Sequence, residues 1–337
     1  MTPIKTIVFM FGLLIMAFFF FTQTVGYAKK RNTYFETLQE SLIKDGFDKH
    51  TIIRLYSHPK VYFETKKASL FLFHREAVLN YDHFTSPGNI QKSRKYMAKH
   101  KPDLLRAERT YGVNKEIITA IILIETKLGT RLGGPSVLNM LSTVASLSDP
   151  DVRNMFWGKV SKSNKLTKKK FENWVGRKSK WAYNELKAFL TYTTREKMDP
   201  SRIYGSYAGA MGIPQFMPSN ILAFAKDGNN DGRVDLFNHA DAIMSVATYL
   251  KHYGWHSGIK RKRAVNVIYR YNHSRPYVDA VLKVATSQKL KLRGQSKKFK
   301  FKASRIETFE KCQFLFKFKK GDNINHRNTL SISRIRI

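Results

Sequence analysis

Between Thr33 and Tyr62 apolar side chains recur at helical spacing: Phe35, Leu38, Leu42 and Ile43, then Ile52, Ile53 and Tyr56. Asp45-Gly46 interrupts them, so the pattern predicts a helical hairpin that serves as scaffold. A stronger signal runs from Lys115 to Gly129, where almost every position from Ile117 to Ile124 is apolar. Asn114 suits an N-cap and Gly129 a C-terminal stop. A helix apolar on nearly every face is a buried helix. Glu125 stands at the end of that run. A carboxylate there is paired with Lys127 or Arg131, emerges at the helix end, or is desolvated with a raised pKa, which is the state a general acid needs. Further helical stretches follow at Leu138 to Leu147, at Glu185 to Arg195 (closed by Asp199-Pro200), at Asp241 to Tyr253 (closed by Gly254), and within Val265 to Ala285. The pattern is mostly helical.

Two stretches break this periodicity in informative ways. Gly205-Ser206-Tyr207-Ala208-Gly209-Ala210-Met211-Gly212-Ile213-Pro214-Gln215-Phe216-Met217-Pro218-Ser219 is dense in small residues and carries no charge. Its small positions admit close approach of a backbone or a ligand, and Pro214 and Pro218 bracket Gln215 and Phe216 between fixed bends. Composition alone favours a tight turn packed under a helix. Asp227-Gly228-Asn229-Asn230-Asp231-Gly232-Arg233 follows the opening of a calcium-loop pattern, but the twelfth place is Asn238 instead of a bidentate Glu. An Asx-turn loop without metal is the alternative.

Charge changes the picture more than length does. The 337 residues carry a net charge of +35 with 42% hydrophobic residues. That is a folded chain suited to anionic surroundings: nucleic acid, a membrane surface or an anionic wall polymer. The basic residues are spread along the whole chain and no nucleic-acid motif stands out. The single cysteine, Cys312, leaves no internal disulfide framework. Lys5, the apolar run Ile7 to Phe21 and the small, polar Thr22 to Ala28 form the three-part pattern of an export signal, with an uncleaved anchor as the alternative. Export to the periplasm or cell envelope argues against nucleic acid. The division expected is a leader at 1–28, a helical region at 29–100, a main domain at 101–290 with a Lys-rich surface insertion at about 149–180, and a basic tail at 291–337.

The 205–219 stretch, the Asp/Asn/Gly loop, and Ser245-Val246-Ala247-Thr248-Tyr249-Leu250-Lys251-His252-Tyr253-Gly254-Trp255 resemble, in that order, the membrane-bound lytic murein transglycosylase B family. The likeness covers roughly Tyr81 to Ala285. It implies a mostly α-helical, lysozyme-like catalytic domain with a small EF-hand-like metal-loop subdomain. It also implies that Glu125 is the family's lone catalytic carboxylate, with Tyr81, Ser206, Gln215, Tyr249, Tyr271 and Asn272 lining the glycan cleft. The family's metal loop maps to Asp227, Asn229, Asp231, the Arg233 carbonyl and Asp241, for a structural Ca²⁺. No cofactor is implied for catalysis. The implied substrate is peptidoglycan, cut without water to leave 1,6-anhydromuramoyl ends by a monomeric enzyme. Two competing readings remain at this point: a lysozyme-like hydrolase using Asp199 or Asp235 to place water, and a wall-binding protein that does not cut.

Overall fold

The structure, a computed structural model, describes residues 33–73, 81–161 and 167–290. The candidate leader, the basic tail and Cys312 lie outside them. Thirteen α-helices and no extended sheet are found among the described residues. They fall into two compact units whose segments interleave along the chain.

The first unit takes residues up to Leu72, Leu138–Lys187 and Pro200–Arg202. The expected hairpin is there as α1 (Glu36–Lys44) and α2 (Lys49–Tyr56). Gly46, at φ +97°, makes the break, and Asp48 caps α2 by accepting from the Thr51 amide at 2.8 Å. α3 (Thr65–Phe73) follows, and α7 (Val137–Ser146) returns to this unit from residue 138 onward. α7 buries hydroxyls and an amide as well as leucines, and each has a use. The Tyr56 and Ser142 hydroxyls bond at 2.8 Å, the Glu64 amide donates to Thr143 Oγ1 at 2.8 Å, and Asn139 Nδ2 donates to the Lys60 carbonyl at 2.9 Å.

The Lys-rich stretch expected as a surface insertion is helical. It forms α8 (Pro150–Val160) and the start of α9 (Lys168–Arg195), one 28-residue helix in which the expected Glu185–Arg195 segment is only the end. Phe156 and Phe171 are fully buried, while Lys169, Lys170, Arg177 and Lys180 are exposed. Both helices are amphipathic: their aromatics build core and their lysines face water. Lys168 and Lys178 bridge the two environments, lying 5.3 and 4.9 Å over the rings of Trp157 and Trp181.

The second unit holds α4 (Pro87–Lys99), α5 (Lys101–Tyr111), α6 (Lys115–Thr126), the last turns of α9, α10 (Pro218–Phe224), α11 (His239–His252), α12 (Arg261–Tyr271) and α13 (Arg275–Lys289). α6 is its centre. Every residue from Glu116 to Thr126 is buried, with α13 as its most extensive partner and α4, α5 and α11 around it. Arg94 of α4 secures the far end of α13 by donating to the carbonyls of Ser287 (2.9 Å), Gln288 (3.3 Å) and Leu290. These are the carbonyls a helix C-terminus leaves without partners, and a cation suits them.

Candidate active site

α6 ends earlier than the sequence suggests. Asn114 takes the N-cap position without a side-chain bond, and the helix stops at Thr126 instead of running to Gly129. Lys127, Leu128 and Gly129 are all left-handed, at φ 49°, 63° and 83°. Two non-glycine residues in that region are strained, and they persist where the surroundings hold them. Here Thr126 does the holding: its Oγ1 accepts from the Gly129 amide at 3.1 Å and donates to the Ile213 carbonyl at 2.9 Å.

Glu125 sits immediately before this turn and is 1% exposed. Neither Lys127 nor Arg131 neutralises it. Among the described residues its one side-chain partner is Tyr277 of α13, whose hydroxyl donates to Glu125 Oε1 at 2.7 Å. Burial pushes the carboxyl up to about 8, and the Tyr277 hydrogen bond lowers it only in part. That exceeds the interval between the ordinary carboxyl value and neutrality that a single acid-and-base group calls for. Burial and the carboxylate beside it raise Tyr277 well above the usual phenol value, so the phenol keeps its proton and remains a donor.

Tyr277 is the residue sequence reasoning missed. Its signal was faint: a second aromatic six positions after Tyr271, at the start of a helix opened by Pro276. Around it stand the expected tyrosines. Tyr81 meets its ring edge-on at 6.0 Å and Tyr271 lies nearly parallel at 6.5 Å. Tyr249 contacts Tyr271 at 4.9 Å, and Phe216 contacts both, at 5.5 and 5.8 Å. The phenols of Tyr271 and Tyr249 are spent on the carbonyls of Pro214 and Arg270, each at 2.7 Å.

The 205–219 stretch makes this possible by folding into a small ladder. Ser136 pairs with Tyr204, Gly205 with Met211, and Met211 with Phe216. Gly205 is required: a Cβ there would stand 2.1 Å from the Ala210 carbonyl oxygen. Gln215, itself left-handed at φ 51°, donates to the carbonyls of Gly212 (2.9 Å) and Leu132 (3.2 Å). Ser206 is committed to its own turn, its Oγ accepting from the amides of Ala208 and Ala210. Asn272 is 1% exposed, and its Oδ1 has no hydrogen-bond partner among the described residues.

The Asp/Asn/Gly loop spends its oxygens on backbone. Asp227 accepts from the amides of Asn230 (2.6 Å) and Gly232 (2.8 Å), and Asp231 from that of Arg233 (2.9 Å). Asn229 donates to Asp231. Asp241 takes the amides of Gly228 (2.9 Å) and Asp235 (2.6 Å) on its two oxygens. Among the described residues no group of three or more carboxylates, histidines or cysteines converges as a metal site. Burial, with the like charges of Asp227 and Asp231 adding to it, raises the Asp241 pKa.

A helical frame built around one apolar helix and its terminal acid falls in the lysozyme-like class of folds. SltB1 from Pseudomonas aeruginosa matches with a TM-score of 0.62 at 26% identity, over 76% of this chain and 98% of that one. SltB3 from the same organism, solved with NAG-anhNAM-pentapeptide, matches with a TM-score of 0.62 at 19% identity, over 78% and 80%. A family model described as the transglycosylase SLT domain matches residues 30–267, and the chain belongs to that family. Tyr271, Asn272 and Tyr277 lie beyond the matched residues. Membrane-bound lytic murein transglycosylase B of Escherichia coli (strain K12) is 34% identical over 175 residues, 52% of this chain. That match spans about two fifths of the relative's own length (41%).

Proposed function

We propose that this chain is a peptidoglycan lytic transglycosylase, exported to the cell envelope, in which Glu125 is first acid and then base. The observation that carries the reading is a fully buried carboxyl whose pKa burial raises to about 8, with one phenol as its partner and no second carboxylate contributing to its shift. Tyr277 occupies Oε1, which leaves Oε2 to hold the proton. That proton passes to the oxygen linking N-acetylmuramic acid to N-acetylglucosamine, and the bond to the muramoyl anomeric carbon breaks. The carboxylate so formed keeps the Tyr277 hydrogen bond, which favours the charged form. It then removes the proton of the muramoyl 6-hydroxyl as that oxygen closes on the anomeric carbon. A 1,6-anhydromuramoyl end forms, no water is consumed, and Glu125 regains its proton.

Ordinary glycosidases set two carboxylates across the scissile bond. Of the two acids a hydrolase reading would recruit, Asp235 accepts the Phe237 amide inside the Asp/Asn/Gly loop, and neither it nor Asp199 affects Glu125. Tyr81, Ser206, Gln215, Tyr249, Tyr271 and Asn272 are assigned to the glycan path. Ca²⁺ is assigned a structural place in the 227–241 loop and none in the reaction. The donors are all oxygens, four of them at alternate positions, and a cation would relieve the repulsion of Asp241 by Asp227 and Asp231.

The test is mass spectrometry of fragments released from peptidoglycan by the native chain and by Glu125→Gln. Anhydromuramoyl ends that vanish in the variant support the assignment. Reducing ends would establish a hydrolase, and binding without release from either protein would establish a wall-binding function.

A further inference from the structure

The aromatic rings near Glu125 do not stop at Tyr249. From Tyr277 the file passes to Tyr271 at 6.5 Å, to Tyr249 at 4.9 Å and on to Tyr253 at 4.7 Å. Tyr277 (1% exposed) and Tyr249 (5%) are buried, Tyr271 is half-buried, and Tyr253 at the outer end is 37% exposed. At the outer end two more rings close on Tyr253. Phe224 stands 5.9 Å away and His252 4.9 Å away at a right angle, with 4.8 Å between Phe224 and His252. Phe224 also meets Tyr249 edge-on at 5.1 Å, so the outer rings are continuous with the inner ones. Core packing accounts for the buried tyrosines. It does not account for three rings gathered at the C-terminal ends of α10 and α11, of which two are exposed and one is half-buried.

We propose that Phe224, His252 and Tyr253 form an outer subsite that stacks a further sugar ring of a glycan strand whose scissile bond lies at Glu125. This rests on the reading of Glu125 given above. The chemistry fits a neutral β-linked amino-sugar chain. A pyranose turns a face of C–H bonds outward, which complements the electron-rich face of an aromatic ring. The His252 ring nitrogens supply a donor and an acceptor at the rim for hydroxyl or N-acetyl groups. Aromatic side chains have few rotatable bonds, so ordering them costs little. Such a subsite makes the enzyme favour strands long enough to reach from Glu125 to the end of the file.

Tyr253→Ala and Tyr253→Phe test this, with unchanged melting curves as the check on folding. Release kinetics are measured on the shortest glycan fragment that is cleaved and on long strands. Tyr253→Ala should raise KM for long strands about two- to tenfold, the range expected of one aromatic contact, with kcat unchanged and the short fragment unaffected. Tyr253→Phe should behave as the native chain. A KM that moves equally for both lengths or for neither, or a kcat that falls at constant KM, overturns the subsite. If the native chain releases nothing, the transglycosylase reading has failed. Affinity titrations with the same two fragments then decide the subsite separately: a loss confined to long strands supports it, and no loss overturns it.

Discussion

Glu125→Gln should stabilise the fold increasingly from about pH 4.5 upward and leave it unchanged in stronger acid. In the folded chain the carboxyl titrates at about 8, against an ordinary 4.5 when unfolded. Below 4.5 both states keep the proton and nothing is lost. As pH rises past that point the unfolded chain releases its proton and the folded chain does not, so unfolding becomes easier by about 1.4 kcal/mol per pH unit. The loss levels off once the folded carboxyl also ionises. The interval from 4.5 to about 8 sets a ceiling of roughly 5 kcal/mol, and relaxation around a buried anion brings the expected figure to about 2–5 kcal/mol. Gln is nearly isosteric, does not titrate, and can still accept the Tyr277 phenol through its Oε1. Urea unfolding of both proteins across a pH series, from about pH 4 to about pH 9, isolates the term as the difference between them. That difference should start near zero in acid, grow through neutrality and flatten above pH 8. A difference independent of pH would refute the reasoning, because it would mean that Glu125 titrates alike in the folded and unfolded chains.

Three further outcomes are expected. Tyr277→Phe removes the one donor to the carboxylate; losing a hydrogen bond to a charged group should lower kcat about ten- to a hundredfold, with glycan affinity retained and the upper pH limit of activity moved further alkaline. An unchanged kcat would reduce Tyr277 to packing. Phe156→Ala should cost about 3–5 kcal/mol on denaturation as a buried ring, whereas a ring in a surface insertion would cost less than about 0.5 kcal/mol. Ca²⁺ should raise the melting temperature relative to a chelator, by about 2.7 kcal/mol of stability at a hundredfold excess over Kd, and leave the rate at low temperature alone. A chelator that slows the reaction without lowering the melting point would contradict the structural role.

The helical fold was readable wherever periodicity was strong. α1, α2, α6 and α7 lie where the apolar spacing put them, because burial of one face is what that spacing encodes. Errors came where local and tertiary demands diverge. The lysines of α8 and α9 dominate the composition, yet Phe156 and Phe171 decide where those helices pack. Gly129 looked like the helix stop, but α6 ends at Thr126, where Oγ1 bonds the Ile213 carbonyl and Lys127 and Leu128 turn left-handed. At the site, Glu125 was legible as a charge misplaced in an apolar run. Tyr277 was not, since nothing near it in sequence announces a partner 152 residues away. The metal loop was legible as oxygen donors at alternate positions, but spacing alone does not say that those oxygens turn to backbone amides.

That separation of 152 residues has a consequence for how the chain is made. Synthesis delivers Glu125 long before the helix that covers it, and domains mature as their segments become available. Until α13 docks on α6, the carboxyl has neither its apolar cover nor its phenol, and it is an ordinary acid that has given up its proton at neutral pH. Acid strength is thus among the last properties the molecule acquires. A chain interrupted before Tyr277 keeps its glutamate but lacks the burial that raises its pKa, so the proposed acid is not assembled until α13 has docked.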